Sequence, residues 1–216
     1  MRTIGSKGEA TERILKKAGV RLIAKHGFEA VSLRMLAKEV GIQAGSLYNY
    51  IENKQDFLFD LLTSIIRDLV EELSGKLEGI DDPRDRLRAF VSEHITFHTR
   101  RKEEVFIGNM ELRSLTPDHL RVVLEMRDAY EEILEDIIHD GIEAGYFKSP
   151  DAGTARLAIL AMLTGVSTWY RPSGRHKINT LIEQYVDFTF GLLHAAEHVP
   201  PAAAELSGKP VAASNA

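Results

Sequence analysis

The sequence predicts an all-α fold, and three observations carry that prediction. Apolar residues recur along almost the whole chain of 216 residues with the spacing of one helix face, about 3.6 residues. Only seven prolines interrupt this pattern. Segments that alternate apolar and polar residues between turns, which are typical of paired strands, are missing. We therefore expect an N-terminal domain of three helices, joined by a long helix to a larger helical C-terminal domain.

Start and stop residues divide the pattern into helices. Gly27 and Gly41 suit helix C-termini, Ser32 and Asn53 suit N-caps, and Pro117 suits the first turn of a helix. The predicted helices cover residues 12–26, 33–40, 44–51, a long stretch that begins after residue 53 and has apolar positions up to residue 77, then 84–99, 102–115, 117–145, 151–170 and 176–198.

Composition excludes several classes of protein. The chain is 44% hydrophobic and 27% charged, as in ordinary folded domains. It has no cysteine, which excludes disulfides, thiolate zinc sites and cysteine nucleophiles. The longest nearly apolar run, residues 157–170, is shorter than the roughly 20 residues that span a bilayer. No secretory signal is found at the start of the sequence. We expect a cytoplasmic protein with no membrane partner.

Charge is distributed unevenly along the chain. Residues 1–55 hold ten Lys and Arg against five Asp and Glu, a net charge of +5, whereas residues 56–216 carry −10. A basic N-terminal quarter on an acidic body favours contact with a polyanion at one end, although a solvated charged face would give the same asymmetry. We divide the chain into a small domain at 1–55, a larger domain at 56–199 and a disordered tail, rich in Ala and Pro, at 200–216.

The second and third predicted helices form a helix-turn-helix, in which two short helices are joined at Gly41 and the second fits the major groove of DNA. The first residues of that second helix are small, which allows its N-terminus to approach phosphates closely. Amide side chains can read base edges, whereas hydroxyl and ammonium groups can donate to phosphates. The candidate DNA-binding residues are Ser32, Gln43, Ala44, Gly45, Ser46, Tyr48, Asn49, Tyr50 and Lys54. The two tyrosines can alternatively be packing aromatics.

Residues 47–57, LYNYIENKQDF, resemble the signature of the TetR family of one-component transcriptional regulators. That signature is a helix-turn-helix followed by Leu-Tyr-x-Tyr/His-Phe and x-x-Lys-x-x-Leu/Phe. Residues 27–28 and 31–33 also fit the family, and Ile51 departs from it, since the family usually has Phe there. The resemblance covers residues 10–60. It implies a homodimer that binds double-stranded operator DNA, usually as a repressor, and is released when a small molecule enters the C-terminal domain.

The last two predicted helices are expected to form the dimer interface. The resemblance implies this arrangement, and the apolar surface of both helices supports it. Both helices are more apolar than one buried stripe requires, and a symmetric copy of the chain is the commonest second partner for such a surface. The alternative is a pair of core helices in a monomer.

The segment that joins these two helices, residues 169–175, places two aromatic side chains beside two arginines. Arginines can clamp a phosphate or carboxylate while aromatics cover an apolar group. With residues 109–113 and 127–130, this segment resembles the C-terminal domain of TetR regulators that respond to acyl-CoA thioesters. The candidate effector-binding residues are Asn109, Arg113, Trp169, Tyr170, Arg171 and Arg175. Alternatively, the arginines favour a helix end for dipole reasons and the aromatics pack the domain edge.

His94 and His98 lie four residues apart, so both project from one helix face and can share a metal ion. No carboxylate cluster accompanies them, and we therefore expect histidines that line a cavity or the surface, with no metal and no cofactor. A nucleophile with its base and a phosphate-binding glycine loop are also missing, so we expect no enzyme. The remaining alternative is a helical interaction or small-molecule-binding protein whose helix-turn-helix is only structural.

Overall fold

The computed structural model describes residues 5–149 and 151–194. Within these ranges every regular element is a helix, which confirms the all-α class. The helices are α1 (Gly5–His26), α2 (Leu33–Glu39), α3 (Ala44–Leu47), α4 (Lys54–Leu77), α5 (Pro83–Arg100), α6 (Lys102–Met110), α7 (Pro117–Glu143), α8 (Ala152–Trp169) and α9 (Ile178–Leu192), with a short 3-10 helix (Leu112–Ser114) between α6 and α7. None of the helices in the described ranges is long and apolar enough to cross a membrane.

Local capping residues set most helix ends as predicted. The Ser32 hydroxyl accepts the backbone N–H of Met35 at the start of α2, and Asn53 does the same for Asp56 at the start of α4. Gly27 and Gly41 have φ angles of +76° and +73°, in the left-handed region that glycine enters without strain. These two glycines therefore end the first two helices where the sequence predicts.

Four predicted helix boundaries were wrong by four residues or more. Helix α1 begins at residue 5 rather than 12. Helix α3 ends at Leu47 rather than 51, because the next residues form i→i+3 hydrogen bonds of a tighter turn. The predicted helix 102–115 breaks after Met110 into the 3-10 helix. The predicted helix 176–198 begins at Ile178 and ends at Leu192, while its last residues from 195 and the predicted tail at 200–216 lie outside the described residues.

Two hydrophobic clusters form the interior. The N-terminal core joins α1–α3 to the first half of α4, and it also takes in buried residues at the end of α5, in α6 and at the start of α7. The C-terminal core joins α5, α7, α8 and α9 to the end of α4. Within α4, Leu58 and Ile65 belong to the N-terminal core, Leu73 belongs to the C-terminal core, and Leu69 packs against both. Helix α4 therefore connects the two cores without a break.

A substitution pair tests the packing of the C-terminal core. A Cβ atom at Gly141 would lie 2.0 Å from the ring of Phe147, so we expect Gly141→Ala to lower the free energy of unfolding by about 1–3 kcal/mol. Gly75 in α4 has no neighbour within 4 Å of such an atom, so Gly75→Ala should raise it by about 0.5–1 kcal/mol through helix propensity. Urea denaturation of both variants measures these changes. Equal effects of the two substitutions would contradict the close packing at Gly141.

Candidate DNA interface and effector cavity

Helix α3 and the turn after it present most of the predicted DNA contacts on one exposed surface. We call residues 43–46 and 48–50 the recognition surface, and all seven are exposed. Tyr48 is 62% and Tyr50 is 40% exposed, so neither ring is a core residue, whereas Leu47, the last residue of α3, is completely buried. Leu47 thus anchors α3 in the N-terminal core while its neighbours face outward.

Ser32 and Lys54 have structural contacts besides their predicted role on DNA. Ser32 is exposed but caps α2. The Nζ atom of Lys54 donates to the carbonyl oxygen of Glu29 at 3.1 Å and lies 4.1 Å from the ring centroid of Phe28. Lys54 therefore ties the link between α1 and α2 to the start of α4. Contact of these two side chains with DNA phosphates stays a prediction.

A cavity of about 300 Å³ lies among α4, α5, α6, α7 and α8, a volume within the range of small-molecule sites. Its wall is mostly apolar, with side chains from α4 such as Leu62 and Ile66. A few polar side chains interrupt the wall, as is usual where a ligand must be oriented. These polar residues are His94, His98, Asn109, Arg127, Tyr130, Glu131 and Thr164.

Arg127 is a cation at the edge of this apolar space. Its Nη1 atom donates to the carbonyl oxygen of Gly108 and to Oδ1 of Asn109, each at 3.2 Å, and so holds α7 to α6. Glu131, one turn further along α7, faces Arg156 at 3.8 Å. Since a guanidinium has five donors, Arg127 keeps capacity to bind a carboxylate or phosphate of a ligand.

Two stacked histidines form the inner polar part of the cavity wall. The rings of His94 and His98 have centroids 3.8 Å apart and planes 9° apart. Burial lowers the pKa of His98 to about 4, with the nearby Arg127 adding to the effect, and burial lowers the pKa of His94 well below its ordinary value. Both rings are therefore neutral at pH 7. The described part of the chain contains no group of three or more side chains that could hold a metal ion.

Most of the predicted effector-binding residues do not line the cavity. Asn109 does, whereas Trp169, Tyr170, Arg171 and Arg175 lie at the end of α8 and in the segment that follows it. Arg171 donates to the carbonyl oxygens of Thr168 and Tyr170, which supports the alternative of an arginine at a helix end. The last of the predicted set, Arg113, lies in the 3-10 helix and outside the cavity wall. Effector contact at these positions stays a prediction.

Sequence reasoning missed the cavity residues that carry most of its chemistry. Arg127 and Tyr130 belong to the segment 127–130 that carried the resemblance, so a signal for them was present. Thr164 gave none, since it is one polar residue in a long apolar helix. His94 and His98 were predicted to line a cavity or the surface, and the structure places them in the cavity wall.

Glu111, directly after α6, joins the end of α6 to the link between α1 and α2. It is only 5% exposed. One carboxylate oxygen accepts the backbone N–H of Phe28 at 3.1 Å, and the other accepts the Ser114 hydroxyl at 2.7 Å. Helix α6 also contributes Val105 and Asn109 to the cavity wall. A shift of α6 would therefore move the Glu111 carboxylate, which is hydrogen-bonded to the link between α1 and α2. We call this contact the Glu111 bridge.

Helices α8 and α9 carry exposed apolar side chains that the described part of the chain does not cover. Leu157 and Phe188 are each 57% exposed, and Trp169 and Leu192 are also exposed. Phe188 and Leu192 lie four residues apart and therefore share one face of α9.

An exposed recognition surface on a helix-turn-helix defines the class of DNA-binding regulators, and in this chain one helix connects that surface to a cavity. Comparison with family models agrees. Residues 15–61 match the model described as bacterial regulatory proteins, tetR family, and residues 80–193 match the Tetracyclin repressor-like C-terminal domain. The chain belongs to the TetR family of transcription regulators.

Several relatives are similar over most of their length. The HTH-type transcriptional repressor KstR2 of Rhodococcus jostii is 27% identical over 85% of this chain and 90% of its own. The fatty acid metabolism regulator protein of Bacillus subtilis is 23% identical over 82% of this chain and 92% of its own. The crystal structure of AibR in complex with isovaleryl coenzyme A and operator DNA has a TM-score of 0.74 at 26% identity, and covers 84% of this chain and 97% of that one.

Because the two buried histidines have lowered pKa values, we expect the free energy of unfolding to fall in mild acid. The pKa of His98 is about 4 in the folded chain and about 6.5 when unfolded. Below pH 6.5 the unfolded chain therefore binds a proton that the folded chain rejects, and stability is lost as the pH falls toward 4. Between pH 7 and pH 5 we expect His98 to account for a loss of about 2 kcal/mol of unfolding free energy.

Urea denaturation of the wild type and of His98→Phe at both pH values measures this contribution. The variant should lose about 2 kcal/mol less than the wild type over the interval, since other titrating groups cancel in the comparison. The same loss in both proteins would show that His98 accepts a proton in the folded state as readily as in the unfolded one.

Proposed function

We propose that this chain is a homodimeric transcriptional repressor that binds operator DNA through its recognition surface and releases it when a small molecule fills the cavity. The observation that carries this proposal is the continuous connection from cavity to recognition surface. Helix α4 lines the cavity with Leu62, Ile65, Ile66 and Leu69 and belongs to the core in which α3 is anchored.

The recognition surface suits the major groove. Its exposed side chains include amides, which can pair with base edges, and hydroxyls, which can donate to phosphates. Gln43, Ser46 and Asn49 are exposed and polar, and they are the strongest candidates for reading bases. Tyr48, with the most exposed ring, is the strongest candidate for a phosphate contact.

A symmetric dimer explains the uncovered surface of α8 and α9. Leu157 and Trp169 of α8, together with Phe188 and Leu192 of α9, would be buried against the same surface of a second copy, as in an isologous interface. Such a dimer presents two recognition surfaces. They bind two half-sites only if they are spaced by one turn of DNA, about 34 Å, or a multiple of it.

The effector is proposed to be an acyl-CoA thioester. Two observations support this class: an apolar cavity suits an acyl chain, and Arg127 at its edge suits an anionic or carbonyl group. The named functions of two relatives point the same way, since one regulates fatty acid metabolism and another was crystallised with isovaleryl coenzyme A.

Release is proposed to follow from a shift of α4 and α6. A ligand in the cavity contacts both helices, because Ile66 of α4 lines it on one side and Val105 and Asn109 of α6 line it on another. The Glu111 bridge passes a shift of α6 to the link before α2, and α4 passes its own shift to the N-terminal core. Both would change the spacing of the two recognition surfaces, and a small change in that spacing is enough to abolish binding.

Removal of one phenol hydroxyl tests the recognition surface. Tyr48→Phe should weaken binding to operator and to unrelated DNA by the same factor, about fivefold for each of the two recognition surfaces of the dimer, since a hydrogen bond to a phosphate carries no sequence information. Fluorescence anisotropy at fixed salt measures both affinities. Tyr146→Phe is the matched control, since Tyr146 packs against the C-terminal core, and it should bind as the wild type does. Unchanged DNA affinity of Tyr48→Phe would contradict the phosphate contact.

Release of the operator tests the effector class. A fragment of the gene's own upstream region is titrated with the protein and then with a series of acyl-CoA thioesters, free CoA and the free acids. One or more thioesters should release the DNA, whereas free CoA and free acids should not. DNA binding that no thioester affects would be consistent with a DNA-binding regulator and would contradict a thioester as its effector.

The same assay tests Arg127. Arg127→Met should raise the concentration of thioester needed for release at least tenfold, because a charge-assisted hydrogen bond is lost. Arg121→Met is the matched control, since Arg121 lies on the same helix and pairs with the exposed Glu125. Equal effects of the two substitutions would show that Arg127 does not contact the effector.

A further inference from the structure

His98 gives the cavity wall a hydrogen-bond acceptor that the described part of the protein leaves unused. His98 is 7% exposed and lines the cavity. Its Nδ1 atom lies 2.8 Å from the backbone carbonyl oxygen of His94, and because a carbonyl only accepts, Nδ1 carries the hydrogen. In the neutral ring Nε2 then carries a lone pair. No group within residues 5–149 and 151–194 hydrogen-bonds this Nε2.

This acceptor is open to the cavity and fixed in position. Nε2 of His98 is not among the described polar atoms that lack both a partner and accessible surface. Since it has no partner, it must have accessible surface, and the cavity that His98 lines provides it. The ring is held by its hydrogen bond to the backbone and by stacking on His94. A ligand therefore meets an acceptor that loses no freedom on binding.

Thr164 adds a donor to the same wall. His94 Nδ1 lies 2.8 Å from the Tyr130 hydroxyl and His94 Nε2 lies 3.1 Å from the Thr164 hydroxyl. If Tyr130 donates to Nδ1, then Nε2 donates to Thr164. The opposite tautomer would leave the hydrogen of a buried phenol without an acceptor, which is unfavourable. The first arrangement therefore holds, and it leaves the hydroxyl hydrogen of Thr164 to donate to a ligand.

We propose that the cavity selects an apolar molecule that carries a hydroxyl group, with that hydroxyl donating to Nε2 of His98. A hydroxyl also accepts, which suits the donor on Thr164. A carboxylate has no hydrogen to donate to this acceptor. This inference rests on the cavity being the effector site proposed above. The portion of the effector that enters the cavity would then be an alkyl or ring group that carries a hydroxyl.

Two small probes test this selection without any CoA group. Benzyl alcohol and toluene share a ring and differ in the hydroxyl. Their affinities for the full chain are measured by NMR titration in the wild type and in His98→Phe. The variant should bind benzyl alcohol about tenfold more weakly, since one hydrogen bond is lost, and toluene within about twofold of the wild type.

A control and a second measurement keep the result independent of folding. His119→Phe makes the same change at a ring that stacks on Phe59 outside the cavity wall, and it should leave both affinities as they are. In the wild type, benzyl alcohol should shift the ¹⁵N resonance of His98 Nε2, and toluene should not.

Two results would overturn the selection of a hydroxyl. One is an equal loss of affinity for both probes in His98→Phe together with an unmoved Nε2 resonance. The other is the absence of binding by either probe. Because neither probe contains a thioester, both results are separate from operator binding and from release by thioesters, which are measured on DNA.

Discussion

One helix belongs to both hydrophobic cores, and the relation between cavity and recognition surface depends on it. Leu58 and Ile65 bury α4 in the N-terminal core, and Leu73 buries its far end in the C-terminal core. Close-packed interiors do not deform gradually, because each side chain fills space that its neighbours leave. A ligand that displaces the middle of α4 therefore displaces the whole helix and the helices packed on it.

The chemistry of the cavity follows from how few polar groups it contains. Each of His94, Tyr130 and Arg127 already has a partner within the protein, so these groups are held without a ligand. Buried polar groups that are satisfied in this way fix the shape of a site and stay neutral or paired. The ring nitrogen Nε2 of His98 differs from these groups, because it has no hydrogen-bond partner within the described residues.

Local signals explain how much of the fold the sequence predicts. The caps at Ser32 and Asn53 and the turn at Gly41 act within four residues, so the helix-turn-helix is visible in the sequence. The end of α3 is not, because aromatic residues continue the helical pattern into what is a turn. The cavity is assembled from five helices spread over about half the chain, and the Glu111 bridge joins residues 83 positions apart. Contacts between residues so far apart leave no periodic pattern in the sequence. The effector site was therefore predicted at Arg171 and Arg175, where arginines and aromatic residues are neighbours in the sequence.

The distance between the two recognition surfaces of a dimer shows whether a ligand in the cavity moves them apart or together. The chain has no cysteine, so Glu52→Cys, at an exposed position beside the recognition surface, accepts one spin label per protomer. Double electron–electron resonance then measures the distance between labels with operator DNA and with a thioester that releases it. We predict one distance on DNA and a different one with the thioester. The same distance in both states, with the DNA released, would contradict transmission through α4.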